Sequence, residues 1–122
     1  MEKIFRKQKN DTLIENLKKL AVKKLIIYGN TTFSQYVCND LERRKITIKT
    51  IIDGYDVTAN NTILVSEFLD NYESYCEVDG ILIVLPYDVG EKVKKYLLTV
   101  NKIKLPIWNI EELMESNKKG EN

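Results

Sequence analysis

Lys24-Leu-Ile-Ile-Tyr-Gly29-Asn-Thr-Thr-Phe-Ser34 joins an apolar run to a glycine and then to hydroxyl residues. That is the pattern of a buried strand turning into the N-terminus of a helix. In α/β folds such a junction binds anions, because unpaired backbone N–H groups and the helix dipole converge on it. The run is short, contains two β-branched residues and does not alternate apolar with polar positions, as expected of a parallel strand covered on both faces. A dinucleotide fingerprint places glycine at three positions of the turn; here Gly29 keeps the first, while Thr31 and Ser34 hold the other two.

Upstream, the spacing of Leu13, Leu17, Leu20 and Ala21 predicts a helix over 11–23, opened by a capping box in Thr12-Leu-Ile-Glu15, with residues 1–10 loosely ordered. Downstream, a helix is expected over 32–44, capped by Thr31 or Thr32 and burying Phe33, Tyr36, Val37 and Leu41. A second strand over 46–52 closes on Asp53-Gly54, and a polar loop follows to residue 61. Residues 62–65 read as a short edge strand, with Ser66 capping a helix that turns Phe68, Leu69, Tyr72, Tyr75 and Cys76 inward. Gly80-Ile-Leu-Ile-Val-Leu-Pro86 repeats the pattern of the first strand, and Asp88 is the expected cap of a helix carrying Val89, Val93, Tyr96, Leu97 and Val100. A last strand over 105–108 precedes Asn109-Ile-Glu-Glu112, which opens a closing helix with Leu113 and Met114 before a polar tail.

Strands that alternate with helices imply parallel pairing through right-handed crossovers, and a glycine turn after the first strand favours the order 3-2-1-4-5. The chain is therefore expected to be an α/β, Rossmann-like three-layer sandwich on a mostly parallel five-stranded sheet with an added N-terminal helix. Its parts are the amphipathic helix of 1–23, the Rossmann-like domain of 24–116 and a polar tail at 117–122. The ligand crevice of such a fold lies where the strand order reverses, so Gly29 to Thr32, Asp53 to Asp56, Pro86 to Asp88 and Asn109 should share one rim.

Composition narrows the chemistry. The 122 residues make one ordinary domain, and 43% hydrophobic with 30% charged residues is the balance of a soluble globular chain with no apolar run near the ~18 residues of a membrane span. Met1-Glu-Lys-Ile-Phe-Arg lacks an apolar h-region, so a cytoplasmic location is expected. With no histidine and only Cys38 and Cys76, neither in a closely spaced pair, zinc hydrolases, disulfide scaffolds and Ser-His or Cys-His nucleophilic enzymes are set aside. Both thiols are read as small buried hydrophobes and Trp108 as packing. Residues 1–24 hold eight Lys/Arg against three Asp/Glu, whereas the remainder has eleven against fifteen. The basic end either faces nucleic acid or an acidic partner, or is a solvated helix face; no interleaved aromatics point to nucleic acid.

At the rim, Gly29, Asn30, Thr31 and Thr32 can present backbone N–H groups and hydroxyls to a phosphate, or Gly29 can merely turn the chain while a threonine caps the helix. Asp53 lies 24 residues beyond Gly29, close to the spacing of the carboxylate that hydrogen-bonds ribose in NAD-type sites. Its other reading is a carboxylate that stabilises the Asp-Gly turn. Tyr87 is the ligand candidate of the third rim loop, Tyr28 and Tyr55 are its possible neighbours, and Asp88 is a cap whose charge would repel a second phosphate.

The pieces Ile26-Ile-Tyr-Gly29, Thr50-Ile-Ile-Asp53, Val65-Ser-Glu-Phe-Leu69, Asp79-Gly-Ile-Leu-Ile-Val84 and Ile110-Glu-Glu-Leu113 resemble the small Rossmann-like domains of bacterial nucleotide-sugar and surface-polysaccharide enzymes, including those fused to sugar epimerase-dehydratases and acetyltransferases. The resemblance implies a nucleotide- or nucleotide-sugar-binding module linked to polysaccharide metabolism, here without a partner domain to carry out chemistry and so noncatalytic. NAD(P) or a nucleotide sugar would be its ligand, at Gly29, Thr31, Thr32 and Asp53. The stretch 78–109 is also similar to coenzyme A-binding domains. The competing class is a protein-interaction or assembly module, contacting a protein partner or forming a homo-oligomer, that keeps the fold and has lost the ligand. A phosphorylated receiver domain is excluded because Tyr28-Gly-Asn-Thr replaces the acidic pair that would hold Mg²⁺. A sugar-nucleotide oxidoreductase lacks an evident general base.

Overall fold

β1 (Lys24–Tyr28) lies at the middle of the sheet because four of its five residues are buried, and Leu25, Ile26 and Ile27, which need no polar partner, have no exposed surface. The computed structural model describes residues 2–54 and 61–115, and the backbone alone for 2–8. β1 pairs in parallel with β2 (Thr47–Asp53) and, on its other edge, with β4 (Gly80–Ile83); β3 (Thr62–Leu64) lies outside β2 and β5 (Ile107–Asn109) outside β4. The resulting order, β3-β2-β1-β4-β5, with all pairs parallel, is the one expected.

Period-two alternation divides the core into two layers. Leu25, Ile27, Leu82 and Val84 meet side chains of α1 (Glu2–Lys19), α2 (Thr32–Arg43) and α6 (Ile110–Met114), whereas Ile26, Tyr28, Ile81 and Ile83 meet those of α3 (Val65–Asp70), α4 (Tyr72–Tyr75) and α5 (Tyr87–Leu98). The register of β2 slips once: its partners step from Ile48 to Thr50 as β1 advances from Leu25 to Ile26, so Lys49 is an extra residue. The Thr50 hydroxyl then donates to the carbonyl of Asn61 at 3.1 Å, and the Ile51 N–H to the same oxygen at 2.8 Å, tying β2 to the start of β3.

Several helix boundaries differ from expectation. α1 runs back to Glu2, because no Gly or Pro interrupts 2–10 and Thr12 sits inside the helix. Its buried stripe is Leu13, Ile14 and Leu17; Leu20 is exposed, and Ala21 lies beyond the helix at φ 60°. The inward stripe of α2 is Ser34, Val37, Cys38 and Leu41, one position round from that expected, leaving Phe33 and Tyr36 exposed. Neither Ser66 nor Asp88 caps a helix. Leu64 and Pro86 hold the N-cap positions of α3 and α5, which leaves both polar residues in the first turn. On α5, Leu97 is buried but Val89 and Tyr96 are half exposed, and β5 starts at Ile107 instead of 105. Residues 55–60 of the expected loop, with Tyr55 and Asp56, and the tail of 117–122 lie outside the described residues.

Both helices leading into β1 and β2 end in the same way. The Val22 N–H donates to the Leu17 carbonyl (2.9 Å) and the Ala21 N–H to that of Lys18 (3.0 Å); the Ile46 N–H donates to Leu41 (2.9 Å) and the Lys45 N–H to Glu42 (3.1 Å). These are paired Schellman motifs, each with its apolar contact, Val22 on Leu17 and Ile46 on Leu41, inside the core. The left-handed position, which favours glycine, is held by Ala21 at φ 60° and Lys45 at φ 74°. At the same end of the sheet, Asp79 accepts the N–H groups of Lys23 (2.7 Å) and Lys24 (3.0 Å), joining the starts of β1 and β4. Those two hydrogen bonds hold its carboxyl below the ordinary value of 3.8. The adjoining Gly80 is needed for space, since a Cβ there would come within 2.4 Å of Cζ3 of Trp108.

Two stability measurements follow from these junctions. Ala21→Gly and Lys45→Gly should each stabilise the fold by about 1 kcal/mol through relief of left-handed strain, a rise of roughly 3–5 °C in thermal midpoint; a fall on both substitutions would contradict the strain. Because the Asp79 carboxyl is depressed on folding, its contribution is complete above the unfolded-state pKa and is lost as pH falls through the folded one. The difference in midpoint between wild type and Asp79→Asn should therefore be largest near neutrality and narrow below about pH 4, as calorimetry across pH would record.

Candidate functional site at the carboxyl ends of the strands

The strand order reverses between β1 and β4, and the loop that leaves β1 carries Gly29 at φ 124°. A Cβ on Gly29 would stand 2.6 Å from the carbonyl oxygen of Val84 and 3.0 Å from Cδ2 of Leu85. The glycine is thus required by the approach of the end of β4, and the Leu85 side chain lies directly against it. The Gly29 N–H donates to the Ile52 carbonyl at 2.8 Å and the Val84 N–H to that of Tyr28 at 2.9 Å, so the ladder continues to the rim on both sides.

Beyond Gly29 the turn is occupied by its own hydrogen bonds. The Asn30 N–H donates to Oδ2 of Asp53 at 2.9 Å, and Oδ1 of Asn30 accepts from Nε2 of Gln35 at 3.2 Å. Thr31 caps α2 reciprocally with Ser34: the Ser34 N–H donates to the Thr31 hydroxyl (3.0 Å) and the Thr31 N–H to that of Ser34 (2.8 Å). The Ser34 hydroxyl in turn donates to the Thr31 carbonyl at 2.9 Å. Thr31 and Ser34, which replace two glycines of a dinucleotide turn, therefore build the helix start themselves. What remains is the pair of N–H groups on Thr32 and Phe33, both exposed residues, which make no hydrogen bond among the described residues. The first turn of α2 holds no acidic residue, whereas that of α5 carries Asp88. Of these two helix starts, only that of α2 has no acid within its first turn, although the Asp53 carboxylate lies just ahead of it on the Asn30 N–H.

The structure brings Gly29, Asn30, Thr31 and Asp53 together around one turn, in which the Asn30 N–H donates to Asp53 while Gly29 bonds Ile52 and Thr31 bonds Ser34. Asp53 acts across two loops, holding the Asn30 amide. Tyr28 is buried among Ile26, Ile52 and Ile83, its hydroxyl 3.8 Å from where a Gly54 Cβ would be. Tyr87 is 53% exposed at the start of α5, and no hydrogen bond among the described residues joins it to the cluster. Its carbonyl instead accepts from Nδ2 of Asn109 at 3.4 Å, and the same amide donates to Oε2 of Glu91 at 2.9 Å.

Asn109 has no exposed surface and packs on Gly90, where a Cβ would come within 2.9 Å of its amide nitrogen. This clamp of β5 on α5 was visible in the sequence only as a glycine inside a helical pattern, which commonly marks close approach. Leu85, Gln35 and Glu91 carried no local signal at all. Among the described residues no three His, Cys, Asp or Glu side chains gather to hold a metal ion. Cys38 is buried, and loss of solvent, with the Glu42 charge adding to it, pushes its thiol up to about 12.

Searches of family models, curated proteins and solved structures find no match to this chain. No helix among the described residues is long and apolar enough to cross a membrane.

The cluster predicts a structural cost for its own residues. Thr31→Ala removes the reciprocal cap and should destabilise by about 1 kcal/mol. Gly29→Ala should cost more, since it combines a forbidden backbone angle with a clash on the Val84 carbonyl. Chemical denaturation of the two variants would test that order, and equal costs would remove the close approach as the reason for the glycine.

Proposed function

We propose that this chain is a noncatalytic module that binds the phosphate of a nucleotide or nucleotide sugar at the N-terminus of α2. The observation that carries the reading is the pair of N–H groups of Thr32 and Phe33, opening at the strand-order reversal on a helix with no acid in its first turn. The resemblance to nucleotide-sugar domains of polysaccharide enzymes supports the same ligand class. Asp53 contributes by fixing the Asn30 amide and so the shape of the turn. Full-length NAD(P) fits less well than a ligand held by one terminal phosphate, because Leu85 against Gly29 and the side chains of Thr31 and Ser34 occupy the approach of a buried pyrophosphate.

A second reading has its own observation. The capping box and the Leu85 contact engage most of the turn within the protein, which is what an assembly module that no longer takes a ligand would show. Thermal unfolding separates the two. At a ligand concentration near one hundred times the dissociation constant, binding to the native state adds about 2.7 kcal/mol, a rise of several degrees. UDP-sugars, other nucleotides, NAD(H), NADP(H) and coenzyme A would be compared on wild type and on Thr32→Glu. That substitution places a carboxylate at the anion position, where it favours the helix start but repels phosphate. A rise with nucleotides that disappears in Thr32→Glu is expected. The absence of any rise in wild type would leave the assembly reading.

A further inference from the structure

The two basic stretches of the sequence meet at the end of the sheet opposite the rim. Lys18 and Lys19 close α1, Lys23 and Lys24 lead into β1, and Arg43, Arg44 and Lys45 lead from α2 into β2. The pairing of Lys24 with Thr47 makes these junctions neighbours. Between them is an open cleft of about 250 Å³ with Val22 and Ile46 at its floor and Lys18, Lys23, Arg44 and Lys45 around it. Arg44 is held by Oδ1 of Asp11 at 2.7 Å, with Oδ2 of Asp40 3.8 Å away. Lys18, Lys23 and Lys45 are exposed and form no ion pair among the described residues. Asp79 acts electrostatically on the Lys23 side, where its carboxylate is already engaged by two backbone N–H groups.

Cations at helix C-termini are ordinarily explained by the dipole and by side chains bonding the last carbonyls. Here the Schellman hydrogen bonds already engage the carbonyls of Leu17, Lys18, Leu41 and Glu42, and no lysine side chain among the described hydrogen bonds donates to them. Lys45 moreover occupies a left-handed position where glycine would cost less.

We propose that this cleft docks an acidic segment of a partner protein, with one apolar side chain resting on the floor made by Val22 and Ile46 while flanking carboxylates meet Lys18, Lys23 and Lys45. The exposed ammonium groups steer a negatively charged segment, and the apolar floor supplies the short-range hold that charge alone does not. Nucleic acid fits less well, since no aromatic ring lines the cleft to stack on a base. The surface is separate from the Thr32 site, so each stands or falls by its own variant.

The test uses the full chain and a short fluorescein-labelled peptide of Asp and Glu with one central Leu, followed by fluorescence anisotropy at low salt. Lys18→Glu with Lys45→Glu should weaken binding roughly tenfold or more. Lys92→Glu with Lys95→Glu, the same charge change on exposed α5 positions, should have little effect. A peptide with Ser in place of the central Leu should bind the wild type roughly tenfold more weakly. Circular dichroism confirms that each variant is folded; were the reversal pair unfolded, the milder Lys18→Gln with Lys23→Gln would be read instead. The proposal is overturned if the peptide does not bind, if both charge-reversed pairs lose binding equally, or if the central Leu makes no difference. Tighter binding of a single-stranded oligonucleotide, abolished by the Lys18 and Lys45 reversals, would overturn it in favour of nucleic acid.

Discussion

Burial of β1 and β4 on both faces is the constraint from which the remaining architecture follows. Two adjacent strands with almost no exposed surface need apolar helices above and below, and parallel pairing requires each connection to recross the sheet. The pair is locked at its ends by two contacts that only glycine permits. Gly29 lets the end of β4 reach β1, and Gly80 makes room for the Trp108 ring at the start of β4. Asp79 adds the third link, accepting two amides from the approach to β1. A motif such as Asp79-Gly80-Ile-Leu-Ile, which reads as a family signature, is thereby accounted for by packing and backbone satisfaction within this domain.

The sheet was legible in the sequence because buried parallel strands leave continuous apolar runs that no amphipathic helix imitates at that length. Leu25 to Tyr28 and Ile81 to Val84 are such runs, and their order followed from the glycine turn. Helix starts were less legible. Thr12-Leu-Ile-Glu15 has the composition of a capping box but lies inside α1, since local composition cannot exclude a helix that simply continues upstream. Ser66 and Asp88 failed as caps for a related reason: the strands run so directly into α3 and α5 that the first turn forms before the polar residue arrives. On α2, large aromatic residues at 33 and 36 outweighed small ones, although Ser34 and Cys38 are the residues that face the core. Size misled where closeness to the sheet decided.

Gly29 and Asp53 were both visible as members of the rim, but their partners were not. Asp53 meets the Asn30 amide across 23 positions of sequence, and Leu85 meets Gly29 across a crossover, contacts that depend on strand register. Residue spacing alone could only compare Asp53 with a ribose-binding carboxylate or with a turn residue. The structure adds a contact that spacing could not show, the bridge from Asp53 to the Asn30 amide between two loops. The reciprocal pair Thr31 and Ser34 shows the same limit: as a departure from a glycine pattern it reads as loss, and as a capping box it reads as construction.

The fold's polarity connects the two ends of the sheet. Helices that return antiparallel to parallel strands place their N-termini at the carboxyl edge and their C-termini at the amino edge, giving the edges opposite partial charge. At the carboxyl edge the first turn of α2 holds no acidic residue, and the Asp53 carboxylate takes the Asn30 N–H just ahead of it. At the amino edge the helix ends are negative, and lysines and arginines more than reverse that sign. Neutralising two helix C-termini, each equivalent to about half an elementary charge, requires far fewer cations than the seven between Lys18 and Lys45. Arg44 and Arg43 are held by Asp11 and Asp40, and Asp79 acts on Lys23 and Lys24, whereas Lys18 and Lys45 are exposed and form no ion pair among the described residues. The amino edge thus carries a surplus of positive charge that neither the helices nor the core requires.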